Sequence, residues 1–454
     1  MTLIASDQLK VVIGLGATGI SCAKQLAAQG ERFVVLDTRE APANLAVFQR
    51  DYPEVKVILG PLDPDLLAAS SEIVLSPGVA KDDPAIVFAV AQGVPLIGDI
   101  DLFCRRITAP IIAITGSNAK SSVTTLVGDM AREAGIDVGV GGNIGLPVLD
   151  FLEQPEKALY VLELSSFQLE TTHDLRAEVA CVLNLTPDHL DRYDNDFQKY
   201  YQAKHRVFKG CKKVVENLDD ALTHPLVAKQ VSITGFRMSE SDFNIFGLIN
   251  RTEQGVPREY LALAKQALMA CDEILLPGRH HTMNALAALA IGHQAGFPMP
   301  AMLRAVKKFS GLEHRCQLVA TKADVNYFND SKGTNVGATV AAIEGLGATL
   351  AIDKKIVLIA GGDGKGASFD DLADPINKYV KSLVLIGTDA TRIADAVSFG
   401  SVYYEKTMAD AVLKSAELAQ AGEIVLLSPA CASFDMFDNF MQRGDVFSRA
   451  AENL

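Results

Sequence analysis

The 454-residue sequence lacks several features that would place it in particular classes of protein. No apolar run approaches the ~18 residues that a transmembrane helix needs. The first ten residues, MTLIASDQLK, have no basic segment followed by an apolar stretch, so we expect no secretory signal. The seven cysteines include no C-x-x-C pair, which argues against a disulfide framework or a zinc site and suits a reducing compartment. These absences predict a cytoplasmic protein that does not span a membrane.

The charge balance excludes another class of partner. There are 42 basic and 55 acidic side chains, a formal net charge of −13, and no blocks of like charge. Non-specific nucleic-acid binding is therefore not expected. An anionic ligand would need local basic groups and helix N-termini, because the overall field is negative.

Short apolar runs alternate with helical patterns along the whole chain. Examples are KVVIGLG, RFVVLDT, PIIAITG, ALYVLELSS, KIVLIAGG and EIVLLSPA. Runs of this length, bounded by Gly, Pro, Ser or Asn, are typical of buried parallel strands, and the 3.6-residue periodicity between them predicts crossover helices. The chain is thus predicted to be α/β. The strands fall into three groups, which predicts domain boundaries near residues 98 and 310.

The first group contains a glycine-rich turn of the kind that binds a diphosphate. Residues 14–19 (GLGATG) follow the strand KVVI and open a helix, and Asp37 closes the next strand, where an acid can meet a ribose hydroxyl. Ser76 and Gly78 form a second turn after the strand EIVL. The pattern fits NAD, FAD or another nucleotide, so a dehydrogenase remains open at this point.

The second group contains a phosphate-binding loop. Residues 116–122 (GSNAKSS) lie between the strand APIIAIT and a helix, with Lys120 placed for the outer phosphates and the hydroxyl of Ser121 for Mg²⁺. The match is imperfect, since Ala119 stands where glycine is usual. Phosphate binding is nevertheless the favoured interpretation, because the strand–loop–helix setting is present.

Two polar residues after neighbouring strands are candidates for a metal site. Glu163 ends the strand ALYVLE, and His189 follows the strand VACVLNLT. Each has an ordinary alternative, a capping acid or a loop histidine with satisfied hydrogen bonds. Beside a phosphate-binding loop, metal binding is the better interpretation of the two together.

Lys204 falls within the apolar stripe of the helix DNDFQKYYQAKHRVFKG. From the pattern alone, a lysine that extends its ammonium into water is favoured over a buried one. Burial would instead favour the neutral amine. A neutral amine can react with CO₂ to give a carbamate, which is a carboxylate-like metal ligand. Tyr200, one turn earlier, could hold such a group or belong to the core.

The remaining candidates lie at a helix start and on loops of the third group. Asn284, in the first turns of ALAALAIGHQAG, could face a nucleotide or be a surface asparagine, and Arg315 could clamp a phosphate. Loops after the strands VNYF, KIVLIA and EIVLLSPA carry Lys365 and Ser433, which suit a small anionic molecule. Solvated turns are an equally good interpretation of each loop taken singly.

Together these segments resemble the Mur ligases of peptidoglycan synthesis. GSNAKSS, ELSSFQLE, NLTPDHLDRY, YYQAKHRVF, GRHHTMNALAA, GLEHR, NDSKGTN, GGDGKG and SPACASFDMFDNF match in order along essentially the whole chain. Within the family, ELSSFQLE, the glycine-rich first domain with Asp37-Thr38-Arg39 and the length favour the branch that adds D-glutamate to UDP-N-acetylmuramoyl-L-alanine. The resemblance implies an ATP-driven reaction through an acyl phosphate in the bacterial cytoplasm. A monomer is expected, although the sequence itself does not give the oligomeric state.

The resemblance also implies three domains and their ligands. A Rossmann-like N-terminal domain (1–98) would bind the UDP moiety, a central P-loop ATPase-type parallel sheet (99–310) would bind ATP, and a Rossmann-like C-terminal domain (311–454) would bind the amino acid. The implied UDP-substrate residues are Leu15, Thr18, Asp37, Thr38, Arg39, Ser76, Gly78 and Asn143. The implied ATP residues are Gly116, Ser117, Asn118, Ala119, Lys120, Ser121, Ser122, Asn284, Arg315 and Asp330. The implied D-glutamate residues are His189, Thr334, Lys365, Ser433 and Phe440.

The implied catalytic residues are Lys120, Glu163, His189 and Lys204. Mg²⁺, in two sites, would be held by Ser121, Glu163, His189 and Lys204, the last as a CO₂-derived carbamate. Given the resemblance, carbamylation becomes the favoured state of Lys204.

The sequence departs from the family pattern at two positions. Ala119 replaces the glycine of the loop; if the position needs a positive φ, alanine costs about 1 kcal/mol. His281 stands where asparagine is usual, which puts adenine contacts there in doubt. Two rival functions remain: an NAD-dependent oxidoreductase built on residues 14–19, and a non-catalytic nucleotide-binding regulator in which Ala119 has disabled the loop.

Overall fold

A computed structural model describes residues 8–253, 255–276 and 278–454. The prediction about a secretory signal rests partly on residues 1–7 and so lies outside the described residues. The chain divides into two compact units. Unit 1 comprises residues 1–185, 196–236 and 287–302, and unit 2 comprises residues 186–195, 237–286 and 303–454.

Unit 1 begins with a five-stranded parallel sheet. Its strands and the helices between them are β1 (Lys10–Ile13), α1 (Ala17–Ala28), β2 (Phe33–Asp37), α2 (Leu45–Asp51), β3 (Val57–Leu59), α3 (Pro64–Ala68), β4 (Glu72–Leu75), α4 (Pro84–Ala91) and β5 (Leu96–Ile97). The strand order is β3-β2-β1-β4-β5. Asp63 and Asp83 cap α3 and α4, each followed by a proline in the first turn, the position that tolerates proline best.

The rest of unit 1 is built on a second parallel sheet. Its elements are α5 (Asp99–Cys104), β6 (Ile111–Thr115), α6 (Lys120–Glu133), β7 (Val138–Gly142), β8 (Leu159–Glu163), α7 (Ser166–Glu170), β9 (Val179–Val182), α8 (Phe197–His205), β10 (Lys213–Asn217) and β11 (Ser232–Glu240). Parallel pairing runs β7-β8-β6-β9-β10-β11. Strands β6, β8 and β9 are buried along their whole length, as apolar runs covered on both faces should be.

Unit 2 contains an antiparallel meander formed by β12 (Ile245–Glu253), β13 (Val256–Leu263) and β14 (Gln266–Ala270). Two helices, α9 (Arg279–Gln294) and α10 (Met299–Lys308), have residues in both units. Among the described residues, no helix has both the length and the apolar character needed to cross a bilayer.

A six-stranded sheet forms the core of unit 2. Its elements are β15 (Gln317–Lys322), β16 (Val325–Asn329), α11 (Val336–Gly347), β17 (Ile356–Gly361), α12 (Ala373–Tyr379), β18 (Val380–Ile386), α13 (Ala390–Val397), β19 (Val402–Tyr404), α14 (Met408–Leu418), β20 (Ile424–Leu427) and α15 (Phe440–Glu452). The order is β15-β16-β20-β17-β18-β19, parallel except for the β15–β16 pair. Separate apolar clusters cover its two faces. The predicted α/β class with parallel sheets is confirmed.

Candidate active site

The turn between β1 and α1 has the geometry of a diphosphate site. A Cβ on Gly19 would lie 1.8 Å from the carbonyl oxygen of Gly14, and Gly14 has φ +103°, so both positions require glycine. The hydroxyl of Ser76 donates to the carbonyl oxygen of Gly14 at 3.3 Å and ties the second turn to the first. No side chain caps the N-terminus of α1, which leaves its backbone N–H groups for an anion.

Asp37, at the end of β2, closes this turn. Its carboxylate accepts the backbone N–H of Leu15 at 2.7 Å and both the backbone and the guanidinium N–H groups of Arg39. The hydrogen bonds from Arg39 lower the pKa of Asp37 to about 2. Five of the predicted UDP-substrate residues (Leu15, Thr18, Asp37, Arg39 and Ser76) thus lie on or beside one turn, where the acid is ionised at neutral pH.

The predicted phosphate-binding loop lies between β6 and α6. The backbone N–H of Asn118 donates to the Asn184 side-chain carbonyl at 2.8 Å, and the Asn184 amide group donates back to the Asn118 carbonyl at 3.1 Å. The backbone N–H of Ser117 donates to the Asn184 carbonyl at 2.9 Å. Lys120 begins α6, and its Nζ donates to the carbonyl of Ser117. Sequence reasoning missed Asn184, although it follows the strand VACVL, because nothing in that strand indicates which loop it contacts.

Ala119 adopts the left-handed conformation, with φ +63° and ψ −3°, directly before α6. The loop therefore keeps the backbone shape that glycine usually supplies, at a cost of about 1 kcal/mol for the Cβ. Since the alanine does not prevent this shape, the idea that it disables the loop loses its structural basis.

We expect Ala119→Gly to change kcat/KM for ATP by less than about fivefold, because ~1 kcal/mol of relieved strain corresponds to about that factor. Steady-state phosphate release at varied ATP would measure it. A gain of several hundredfold would mean instead that alanine blocks the loop in the natural protein.

Lys204 is buried, with only 2% of its surface exposed. Its Nζ donates to the carbonyl of Gly116 at 2.8 Å and to the hydroxyl of Thr115 at 3.2 Å, and it lies 5.3 Å from the centre of the Tyr200 ring. The hydroxyl of Tyr200 is 2.9 Å from that of Ser117. The side chain therefore points into the start of the phosphate-binding loop, unlike a lysine that extends into water.

Glu163 ends β8, which pairs with β6 so that Glu163 is opposite Ile114. One carboxylate oxygen, Oε1, accepts the side-chain amide of Asn143 at 2.8 Å, while Oε2 is buried without a hydrogen-bond partner among the described residues. A buried carboxylate oxygen without a donor is costly, and a cation would compensate it. This unpaired oxygen is of the ligand type that Mg²⁺ prefers. No group of three or more His, Cys, Asp or Glu side chains suited to a metal ion occurs in the described part of the chain.

A buried hydrogen-bond network begins two residues after Glu163 in the chain. Ser165 and Gln168 form a capping box at α7, and the Gln168 amide group also donates to Asp99 Oδ2 at 3.0 Å. The other oxygen of Asp99 is buried without a partner in the described structure. Burial raises the pKa of Asp99 to about 6. Sequence reasoning did not identify this acid.

The raised pKa makes a prediction about stability. Protonated Asp99 is favoured in the folded state, so stability falls as pH rises from about 4 through 6, by up to ~3 kcal/mol for a two-unit shift. Asparagine does not titrate. The melting temperature of Asp99→Asn minus that of the natural protein should therefore increase from pH 4.5 to pH 7.5, as thermal unfolding followed by circular dichroism would measure. A difference that does not change with pH would contradict the assignment.

In unit 2, His189 has φ +52° and lies in the loop before a short 3₁₀ turn. Its backbone N–H donates to Asp188 Oδ1 at 2.9 Å, and Asp188 Oδ2 accepts the Asn335 side chain at 3.2 Å. Asn335 also caps α11. The predicted D-glutamate residue His189 is thereby connected to the loop that carries Thr334.

The start of α9 holds His280 and His281, whose ring centres are 4.0 Å apart. Burial lowers the pKa of His280 to about 4 and that of His281 to about 2, so both rings are neutral at pH 7. Nε2 of His281 is buried without a partner in the described part of the chain. At the position usually held by asparagine, the chain thus has a neutral imidazole, one turn before Asn284.

Three loops at the carboxyl ends of β16, β20 and β17 lie side by side in unit 2. Asp363 and Ala432 exchange backbone hydrogen bonds of 3.1 and 2.8 Å, which join the Lys365 loop to the Ser433 loop. Nζ of Lys332 lies 4.0 Å from the centre of the Phe440 ring. The predicted D-glutamate residues Thr334, Lys365, Ser433 and Phe440 all belong to these loops or to the start of α15.

Asp330 follows β16 and is buried. It accepts the hydroxyl of Ser428 at 2.7 Å and the backbone N–H of Cys316 at 3.2 Å, and burial raises its pKa to about 6. The positive charge of Arg315 acts in the opposite direction. Asp330 is thus joined by a hydrogen bond to Cys316, the residue directly after Arg315.

Arg443, which sequence reasoning missed, is the largest buried side chain of the described structure. Its guanidinium donates to the hydroxyl and carbonyl of Ser331 and to the carbonyls of Cys431 and Ala432, at 2.8–3.2 Å. It therefore fastens two of the three loops to α15.

Comparisons with known proteins agree on one family. The models "Mur ligase MurD-like, N-terminal domain", "Mur ligase middle domain" and "Mur ligase, glutamate ligase domain" match residues 8–98, 114–292 and 314–431. The chain is 53% identical to a UDP-N-acetylmuramoylalanine–D-glutamate ligase of Pseudomonas fluorescens Pf0-1 over the full length of both. It is 52% identical to the protein of that name from Pseudomonas aeruginosa PAO1 and 48% identical to the one from Acinetobacter baylyi, with complete coverage of each chain.

Solved structures show the same fold at low sequence identity. A MurF ligase from Thermotoga maritima, in complex with ADP, gives a TM-score of 0.62 at 13% identity and covers 98% of this chain and 95% of its own. UDP-N-acetylmuramate-alanine ligase from the same organism gives 0.60 at 17% identity, with 98% and 99% covered. On the sequence matches and the shared fold, the chain belongs to the Mur ligase family.

Proposed function

We propose that this chain is an ATP-dependent ligase that joins D-glutamate to UDP-N-acetylmuramoyl-L-alanine in peptidoglycan precursor synthesis. The observation that carries the proposal is the identity of about half of all positions, over complete chains, with relatives named for this ligation. The geometry supports it, because a phosphate-binding loop and a buried, half-satisfied carboxylate lie at adjacent strand ends of unit 1.

The first step activates the carboxylate, since joining a carboxylate to an amine in water is uphill. The L-alanyl carboxylate attacks the γ-phosphorus of ATP, and the products are an acyl phosphate and ADP. Lys120 and the backbone N–H groups at the start of α6 bind the phosphates and offset their charge. Asn184 accepts the backbone N–H groups of Ser117 and Asn118 and donates to the carbonyl of Asn118, and these hydrogen bonds hold that loop in place.

Mg²⁺ is the ion that the oxygen donors suit. Glu163, through its unpaired Oε2, and Ser121, in the first turn of α6, would hold it in unit 1. His189 and a carbamate on Lys204 complete the proposed set of ligands. When bound, the ion would neutralise charge on the transferred phosphoryl group. The carbamate forms when the neutral Lys204 amine adds to CO₂ and loses a proton.

The second step forms the amide bond. The neutral amine of D-glutamate attacks the acyl carbon, and the tetrahedral intermediate collapses with loss of phosphate. Lys365 and Ser433 bind carboxylates of the amino acid, with Thr334, Phe440 and His189 beside them. The exposed side chain of Lys365 suits that role, because a carboxylate can reach it from solvent.

The remaining assignments belong to the same proposal. The turn around Asp37 binds the uridine diphosphate, together with Thr38, Gly78 and Asn143, while Asn284, Arg315 and Asp330 bind the nucleotide of ATP. The division into domains at residues 98 and 310, a monomeric state and a cytoplasmic location complete it.

The test is phosphate release from ATP in Mg²⁺ and bicarbonate with UDP-N-acetylmuramoyl-L-alanine present, comparing D-glutamate, L-glutamate and no amino acid. Release that needs both the UDP substrate and D-glutamate is expected. ATP binding without release under any of these conditions would favour the non-catalytic regulator. Retention of nicotinamide with no release would favour the oxidoreductase.

A further inference from the structure

The loop that carries Lys365 is held at three points by the start of α13. The backbone N–H of Asp389 donates to the carbonyl of Gly362 at 3.0 Å. The backbone N–H of Gly364 donates to Asp389 Oδ2 at 2.7 Å, and Arg392 Nη2 donates to the carbonyl of Ala367 at 2.9 Å. These contacts bracket residues 362–367, with Lys365 in the middle.

Asp389 and Arg392 also bind each other. Nη1 of Arg392 donates to Asp389 Oδ1 at 3.1 Å, so the two carboxylate oxygens are used by different partners. The Asp389 side chain is 14% exposed, and the Arg392 guanidinium lies 5.4 Å from the centre of the Phe369 ring. The Arg392 side chain is 48% exposed, so the ion pair itself contributes little, and the hydrogen bond from Gly364 to Asp389 is the main constraint on the loop.

The loop itself has little freedom at its centre. A Cβ on Gly364 would lie 2.6 Å from the buried ring of Phe369 and 3.0 Å from Asp389 Oδ2. Lys365 has φ +48°, a strained value for a residue other than glycine. In the described part of the chain its Nζ forms no ion pair. The backbone, and not a contact of the ammonium, thus determines where this charge is held.

We propose that Asp389, supported by Arg392, is a positioning residue that sets the location of Lys365 for a carboxylate of the incoming amino acid. The inference rests on the proposed function, which gives Lys365 that ligand. Asp389 does not touch the substrate; it acts through the hydrogen bond to Gly364 and the bracket on the loop. Its loss should weaken amino-acid binding and leave the use of ATP unchanged.

The sign of the effect separates positioning from simple electrostatics. Removing a negative charge beside an anion-binding lysine would by itself strengthen anion binding and lower KM. Asp389→Asn keeps the size of the side chain and one acceptor oxygen, but cannot serve both Gly364 and Arg392. A rise in KM for D-glutamate after this change therefore reports the displaced loop.

The experiment measures phosphate release at varied D-glutamate and varied ATP. We expect Asp389→Asn to raise KM for D-glutamate about tenfold, the loss of one charge-assisted hydrogen bond, with KM for ATP unchanged. Arg392→Met should give a smaller rise. Asp395→Asn, on the exposed face of the same helix, is the matched control and should change neither constant. Equal melting temperatures establish that the variants fold.

A double-mutant cycle with Lys365→Met completes the test. If Asp389 acts through Lys365, Asp389→Asn should raise KM by less than about twofold in the Lys365→Met background. An unchanged KM for D-glutamate in Asp389→Asn, with Lys365→Met raising it, would overturn the inference and leave the proposed function intact. An unchanged KM in Lys365→Met would overturn both the inference and the role of Lys365. A natural protein without D-glutamate-dependent release would sink the proposed function itself.

Discussion

Replacing Lys204 with methionine or arginine is expected to lower D-glutamate-dependent phosphate release about a thousandfold, the scale of losing a preorganised charged group at a phosphoryl-transfer site. Lys204 is buried against Gly116 and Thr115, where neither substitute can become a carbamate. Arginine keeps the positive charge, so its failure would show that the charge alone is not what the site needs. The rate at saturating ATP and D-glutamate measures the effect.

Bicarbonate separates the carbamate from a purely structural lysine. The natural protein, exchanged into CO₂-free buffer, should lose activity and regain it when bicarbonate is added. The Lys204 variants should be inactive in both buffers. Lys213, on strand β10 and hydrogen-bonded through Nζ to the carbonyl of Gln294, offers a matched lysine control, since Lys213→Met should keep the bicarbonate response. Full activity of the natural protein without CO₂ would exclude the carbamate.

The fold could be predicted from the sequence because its dominant signal is local. Buried strands such as β6 and β8 appear as continuous apolar runs, and the residues that end them, Thr115 and Glu163, mark where a loop begins. The carboxyl ends of parallel strands meet at one edge of the sheet, so the candidate residues of unit 1 could be placed together.

The supporting residues could not be predicted in the same way. Asn184 binds a loop residue 66 positions away in sequence, Asp389 one 25 positions away, and Arg443 one 112 positions away. No local pattern indicates these partners. Asp389 precedes a helix and has the sequence features of an ordinary capping residue. Only the packed structure shows that its carboxylate binds the neighbouring loop instead.

Lys204 was identified from the sequence, but its burial could not be predicted. Its position in an apolar stripe fits both a buried amine and one that extends into water, because the periodicity describes the helix face and not the depth of the atom. In the structure the side chain is buried, and Nζ donates a hydrogen bond to the loop after β6. The chemical state of the amine depends on CO₂, and the experiment above addresses it.

Arg443→Met is expected to lower the stability of unit 2 strongly. Arg443 is 1% exposed. Its guanidinium donates hydrogen bonds to carbonyl and hydroxyl oxygens and, within the described residues, forms no ion pair with a carboxylate. Burial lowers its pKa to about 10, so it remains charged at neutral pH. Methionine would leave the carbonyls of Ser331 and Cys431 buried without donors, while the carbonyl of Ala432 would keep the backbone N–H of Asp363. Each buried carbonyl that water cannot reach costs about 1–3 kcal/mol.

A loss of ~4 kcal/mol would lower the melting temperature by about 10 °C, as calorimetry would measure. The melting temperature of Arg443→Lys should lie between those of Arg443→Met and the natural protein, because one ammonium can donate to only some of these oxygens. Arg449→Met, on the exposed side of α15, removes the same kind of group from a surface position and should change the transition by less than about 2 °C. If Arg443→Met unfolded at the same temperature as the natural protein, water would be able to replace the hydrogen bonds of the guanidinium. The loops of unit 2 would then be held chiefly by the Asp363–Ala432 bridge and by Asp389.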